Sequence, residues 1–426
     1  MIRHIFKIIW NERKTNSWIV VEYVLVFCIL WFCCDYLYYI GKSYYEPLGF
    51  DIRNTYSVRM TTLPSTSGDD KPTEDENYSY TMSIVEKIKR YPGVEHATIC
   101  YGDEPYSYSN SWYTFAINDD TINQSFQARE VSSEFFDVFK IKLTKGEVFD
   151  WTDPASEKKI LVSPDRNGYF GDRNKSAYPI SAVHSLSVYD SYDENDDTKY
   201  NVIGVTKSIK SRFLSQYTST IFFSLKNRTD LYPHEFMIRI HPNAAKGFEE
   251  RFIKDMKNQL AVGPYVFSNI TSLIEKEKNV TKSFGITSNL NSVYSITLFL
   301  IINIFLGIIG TFWYRTESRK SEIGLRIALG SSKRNVKRLL YTETLFLLFI
   351  SAIIGVNICV NIGQTDLLKA LGIPLANHEH IGAGIEQYFI NFGFTFLFLA
   401  IISLLAVWYP ARQSSNLHPA EALHEE

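Results

Sequence analysis

Hydrophobic residues are concentrated in four long blocks, at 17–40, 291–314, 339–362 and 389–409. Each block is long enough to cross the hydrocarbon core of a bilayer, which takes roughly 20 residues of helix. The first run is too long for a cleavable leader. Trp31, Tyr36, Tyr38 and Tyr39 fill its end, where a cleavage site needs small residues, so the pattern predicts a retained anchor. Ahead of it, residues 1–16 carry Ile2, Ile5, Phe6, Ile9 and Trp10 at helical spacing, with Arg3, His4, Lys7 and Asn11 opposite. That spacing predicts an amphipathic helix lying on the membrane surface.

Residues 41–290, between the first two blocks, are polar and rich in Asn, Asp, Ser and Tyr. Here "YTMSIVEKIKRY" predicts a helix, Pro92-Gly93 a stop, and "VEHATIC" a strand. The pattern recurs at 235–268 as strand "EFMIRIH", helix "NAAKGFEERFIKDMKNQL" and strand "YVFSN". Two α/β halves, about 41–104 and 231–290, thus flank a strand-leaning stretch at about 105–230, which predicts a split domain with a β-rich inserted lobe. The expected fold class is an α-helical membrane protein with four transmembrane helices plus a large α+β extracytoplasmic domain.

Charge changes the picture by giving the spans a direction. Residues 1–17 carry Arg3, Lys7, Arg13 and Lys14, and residues 315–338 carry eight Lys or Arg, whereas the loop at 363–388 has only Lys369. The positive-inside rule then puts both termini (the second being the tail at 410–426) and the 315–338 segment in the cytoplasm, and 41–290 outside. Trp18, Trp313 and Trp408 inside, with Tyr39 and Tyr294 outside, fit interfacial belts. Asp35 and Glu343 stand out among the acids in or near the spans. Asp35 is within a turn or so of the outer surface, in reach of water. Glu343 is placed to snorkel, to pair with Arg338, or to be buried between helices.

The chain as a whole has 44 basic and 46 acidic side chains, a balance that gives no reason to expect a nucleic-acid partner. Of five cysteines, only Cys100 falls in the polar middle, which therefore cannot form an internal disulfide. No G-x-x-x-x-G-K-[ST] loop, H-E-x-x-H or G-x-S-x-G occurs, and "IGKS" at 40–43 has Tyr36 where the loop needs its first Gly. His378 and His380 are too few for a metal site. No catalytic residue, metal site or bound cofactor is expected.

The segment at 317–340, "ESRKSEIGLRIALGSSKRNVKRLL", carries more chemistry than orientation requires. Glu322, Ile323, Arg326, Ile327 and Gly330 recur at three and four, so a helix continues past the second span. Gly330 suits its C-terminal cap, and Ser331 or Ser332 the next N-cap. An elbow results, and its face of Ile323, Ile327, Ala328 and Leu329 would gain by docking rather than facing water.

"RKSEIGLRIALGSSKRNVKRLLYTET" resembles the cytoplasmic loop of the MacB/FtsX-type ABC transporter permeases, in which E-I-G-[IL]-R-x-A-L-G-[AS]-[ST] follows the second span. The match covers Glu322, Ile323, Gly324, Leu325, Arg326, Ala328, Leu329, Gly330 and Ser331. The ending "YPARQSSNLHPAEALHEE" resembles the same family through Pro410, Ala411, Arg412, Pro419 and Glu421, although Ser414-Ser415 replace small apolar residues. Segments 131–149, 158–171 and 200–208 are similar to its extracytoplasmic core, with Gly146-Glu147-Val148 departing from the usual Gly-Arg. The resemblance implies a porter-like α/β subdomain with an inserted lobe, and a permease whose elbow is gripped by a separate cytoplasmic ABC ATPase dimer carrying ATP and Mg. A second permease chain, identical or different, and membrane lipid would complete the complex, with an extracytoplasmic protein as a further partner. The implied activity is export-type mechanotransmission. The alternatives are a signalling or structural subunit driving a cell-wall hydrolase, a lipoprotein-release permease, and a tethered ectodomain with no ATPase.

Overall fold

In this computed structural model, residues 13–63, 72–102, 104–108, 110–118, 122–172, 175–188, 199–225, 231–363 and 385–416 are described. The expected surface helix at 1–16 (apart from the backbone of 13–16), the loop expected at 363–388 with His378 and His380 (apart from the backbone of 363 and 385–388, which is helical), Pro419 and Glu421 lie outside them. Chain order begins with α1 (Arg13–Tyr45), β1 (Thr55–Thr62), α2 (Glu74–Lys89) and β2 (Val94–Cys100). There follow β3 (Ser111–Ile117), β4 (Asn123–Val131), the single turn α3 (Phe135–Val138), β5 (Leu143–Gly146), β6 (Lys159–Ser163), β7 (Tyr169–Phe170) and β8 (Tyr178–Pro179). Next come β9 (Ser185–Val188), β10 (Lys199–Thr206), β11 (Thr220–Ser224), β12 (Glu235–Ile240), α4 (Phe248–Met256), β13 (Tyr265–Ser272) and α5 (Leu273–Ser283). The chain closes with α6 (Ile286–Ser318), α7 (Lys320–Ala328), α8 (Lys333–Gly363) and α9 (Ile385–Ser415). It divides into two units: Tyr44–Gly285, and the two flanking segments together.

In the first unit, β1, α2, β2, β12, α4 and β13 build an antiparallel sheet in the order β13-β1-β12-β2. This is the split β-α-β arrangement, in which each helix crosses over one intervening strand. Sequence explains the local pieces. Thr73 and Glu76 form a reciprocal capping box that starts α2, and Gly93, at φ +95°, makes the turn into β2 that a side chain would resist. Phe248, Phe252 and Met256, four residues apart, give α4 its buried face. The helix expected over 243–260 is shorter because Gly247, at φ +63°, interrupts it after a 3-10 turn.

All six positions of β12 are buried, as a central strand requires. One of them is Arg239, whose guanidinium donates to the carbonyls of Val138 at 2.5 Å, Arg53 at 2.8 Å and Asp51 at 2.5 Å. Backbone acceptors make a buried cation tolerable there.

Strands β3 to β11 are inserted between β2 and β12. Seven of the nine form a sheet in the order β5-β10-β6-β11-β4-β3-β9, with β9 pairing again with β10, while β7 and β8 pair with each other. Six strands therefore close on themselves as a small barrel, which removes the exposed edges. Its interior is filled by Phe115, Phe126, Ile160, Phe170, Ile221 and Phe223, with Phe126 and Phe170 stacked at 4.7 Å.

The second unit contains four helices long and apolar enough to cross a membrane: Ser17–Tyr45, Ile286–Thr311, Lys333–Ile362 and Phe389–Ser415. They pack around Phe27, Trp31, Ile304, Leu347, Leu348, Leu399 and Val407. Close approach substitutes for the hydrophobic effect that lipid does not supply. At Gly355 a Cβ would stand 2.5 Å from Phe27, and the Ser351 hydroxyl lies 3.3 Å from the carbonyl of Val20. Polar residues also meet across helices: the Tyr23 hydroxyl donates to Ser403 at 3.0 Å. Asp35, expected within reach of water, is instead buried and accepts from Asn391. A carboxylate near the end of an apolar run is cheaper to hold against a carboxamide than alone.

Candidate functional site: the elbow after the second membrane helix

The elbow begins where α6 stops. Arg319 alone departs from helical geometry between α6 and α7, and α7 packs against the end of α6 and against α9. At its other end the chain reverses through Gly330, at φ +95°. The Gly330 amide donates to Ile327 at 3.0 Å and the Ser331 amide to Arg326 at 2.9 Å, the paired bonds of a Schellman cap. Of the two candidate N-caps, Ser332 takes the role: the Asn335 amide donates to its hydroxyl at 3.3 Å.

Four charged side chains brace this bend. The Arg319 Nε donates to Glu322 at 2.9 Å and its Nη1 lies 3.3 Å from Glu343 Oε2, while the Arg326 Nη2 donates to Glu322 at 2.5 Å. Burial pushes the Glu322 carboxyl up, but the hydrogen bonds and positive charge of Arg319 and Arg326 outweigh it and hold the group below the ordinary carboxylate range. Glu343 is buried between helices, and the partner named by the structure is Arg319, not Arg338. One Arg thus ties the start of α7 to the third membrane helix.

Arg319 was not singled out by the sequence motif, yet it is the hub. Its signal was present: Arg319, Glu322 and Arg326 are spaced by three and four, which puts them on one helical face. Lys333 was also passed over, and its ammonium donates to Asn416 at 3.0 Å, joining the start of α8 to the residue after α9.

The motif residues divide between two faces of α7. Ile323 and Gly324 are buried within this unit and Ile327 is half-buried. Leu325, Ala328 and Leu329 point away, with Leu325 51% and Leu329 79% exposed. The single apolar face expected from Ile323 to Leu329 is therefore split, because Ile323 faces the bundle and leaves the leucines outside. The tail residues are separate from this face. Pro410 lies within α9, its carbonyl accepting from Ser414 at 2.8 Å, and Ala411 is fully buried. Arg412 lies over the Trp408 ring at 5.6 Å, and Trp313 stacks on Tyr409 at 5.8 Å. Among the described residues no group of three or more His, Cys, Asp or Glu stands close enough to hold a metal ion.

A bundle of four apolar helices, a separate α+β unit and a braced elbow with an outward leucine pair define a multi-pass membrane protein with a built contact surface. Residues 294–419 match the family model described as FtsX-like permease C-terminal. That segment therefore carries an FtsX-like permease domain, and the chain as a whole is similar to proteins named MacB and ABC transporter permease. It is 21% identical over 318 residues to the probable export ATP-binding/permease protein MacB of Pseudomonas entomophila (strain L48), covering 71% of this chain and 42% of that protein. It is 21% identical over 412 residues to the ABC transporter permease YtrF of Bacillus subtilis (strain 168), covering 89% of this chain and 91% of that one. The chain thus spans less than half the length of the MacB relatives it matches. Among solved structures it is similar to the periplasmic region of MacB from Actinobacillus actinomycetemcomitans, with a TM-score of 0.33 and 11% identity over 56% of this chain and 97% of that one.

Proposed function

We propose that this permease couples ATP hydrolysis on a separate cytoplasmic ATPase dimer to rearrangement of its extracytoplasmic unit, as an export-type mechanotransmission subunit. In this reading the leucine face of α7 seats in the ATPase. Arg319 passes the displacement to α6 at its own end and, through Glu343, to α8. A second permease chain completes the machine, and ATP and Mg belong to the ATPase. The basic content of 315–338 supports an orientation with the elbow and both termini inside and residues 41–290 outside.

The observation that carries this reading is the exposure of Leu325 and Leu329 on a bend otherwise fixed by four charges and two caps. A rigid bend without its own need for those leucines is what a transmitted force requires. It is supported by relatives named ATP-binding/permease proteins and ABC transporter permease. The test is Leu329→Asp in the full-length protein. Because the residue is mostly in water, thermal stability should change by no more than about 0.5 kcal/mol, while co-purification of the ATPase is lost. Undiminished co-purification contradicts the proposal.

A further inference from the structure

Between α7 and the first turns of α8 there is a cavity of about 170 Å³. Its polar lining is Arg326, Arg338, Ser331 and Asn335, and its apolar wall is Ile323, Val336 and Leu339. We propose that this cavity binds the phosphodiester headgroup of an anionic phospholipid, with the apolar wall receiving the start of the lipid chains.

Three observations carry the assignment. Two guanidiniums line one small cavity and retain donors: Glu322 takes only one nitrogen of Arg326, and Arg338 has no carboxylate within ion-pairing distance among the described residues. Planar guanidinium forks match phosphate oxygens, and the Ser331 hydroxyl and Asn335 carboxamide add neutral partners. Second, the cavity sits where the basic turns of α8 end, at Arg338, and its apolar run begins, at Leu339. In a spanning helix that junction is the depth of the lipid headgroups. Third, the wall of Ile323, Val336 and Leu339 has no use for a free phosphate ion, and Ile323 and Val336 are themselves buried. Neither Leu325 nor Leu329 lines the cavity, so substitutions in the cavity and at the leucines test the lipid site and the ATPase contact separately.

The experiment uses the delipidated full-length protein in detergent, titrated with phosphatidylglycerol or phosphatidylethanolamine and read by native mass spectrometry. One phosphatidylglycerol per chain is expected to bind in preference to phosphatidylethanolamine. Arg338→Gln should weaken it about fivefold, the loss expected for one basic residue at an anionic lipid surface. Arg338→Lys should restore most of that loss. Asn335→Asp serves where Arg338→Gln fails to fold. Position 335 is in the first turn of α8, where an acid suits the helix, yet it puts a carboxylate into the cavity and should also weaken binding about fivefold. Arg334→Gln removes the same charge outside the cavity and should change binding by less than about twofold. The proposal is overturned by equal losses from Arg334→Gln and Arg338→Gln, which would mean diffuse attraction to charge. It is equally overturned by equal binding of the two lipids, or by displacement of the lipid with millimolar inorganic phosphate.

Discussion

Lys276 and Arg319 hold corresponding positions in the two units, each a cation facing two carboxylates, and they do opposite work. Lys276, on α5, donates to Glu104 at 2.5 Å and to Glu235 at 3.0 Å, and all three are buried. Glu235 also accepts from Ser57 and lies 3.5 Å from Arg59. Glu104 stands where the chain leaves the four-stranded sheet for the inserted barrel, and Glu235 where it returns. The cluster therefore locks both crossings to the helix that precedes the second membrane span. Arg319, by contrast, pairs with a half-exposed neighbour three residues on, Glu322, and reaches Glu343 across the bend. A charge cluster sealed on every side fixes a fold. One that is sealed on one side and leaves leucines in water holds a surface ready for something else.

That contrast is most exposed to Lys276→Ala, for which the largest effect is expected. Removing one member of a buried ion cluster strands its partners and costs about 3–5 kcal/mol. Chemical unfolding of the full-length protein, followed by fluorescence of the aromatic-rich Tyr44–Gly285 unit, should show that loss. The pH dependence should change sign as well. Burial pushes the Glu235 carboxyl up, but Lys276 and Ser57 outweigh it and hold it below the ordinary carboxylate range. Burial pushes the Lys276 ammonium down, but Glu104 and Glu235 outweigh it and hold it above its ordinary range. Glu235's contribution is therefore present above the usual carboxylate pKa and lost as pH falls through its depressed value. The contribution of Lys276 is lost only in strong alkali. The native protein should hold its stability between about pH 5 and 9, whereas the variant, with two buried carboxylates that have lost their shared ammonium, should gain stability as pH falls from 7 to 5. A smaller effect is expected for Glu343→Ala, about 1–3 kcal/mol, because Arg319 keeps Glu322 when its buried partner goes. The accompanying change should be faster exchange of the Arg319–Ile323 amides, with the Tyr44–Gly285 unit unaffected. If the two substitutions cost the same, the distinction between a sealed and a half-open cluster is wrong.

How much of this was legible in the sequence depends on how far apart the interacting residues are. The apolar blocks, α2 with its stop at Pro92-Gly93, β2, and the caps at Gly330 and Ser332 follow from neighbouring residues and were readable. Barrel closure was not, because β10 meets β6 along one edge and both β9 and β5 along the other, and no local pattern encodes register between distant strands. The Lys276 cluster joins residues 172 and 41 positions apart, so spacing rules are silent on it. In the elbow, Glu322 and Arg326 were readable as a motif. Arg319 was hidden among other basic residues, and only the structure separates it from them. Glu22 escaped notice for a different reason. It lies inside the first apolar run, whose average conceals one acid, and it is half-buried beside Tyr23, Ile304 and Thr311.

The account rests on the outward leucine face being a protein contact made from the cytoplasm. A photo-crosslinking amino acid placed at Leu329 in intact cells, with the adduct identified by mass spectrometry, examines that contact without purification. The predicted adduct is an ATP-binding protein carrying a phosphate-binding loop, and it should vanish when Leu325→Asp is added. Adducts with lipid alone, or with a protein from the outer side of the membrane, would contradict it.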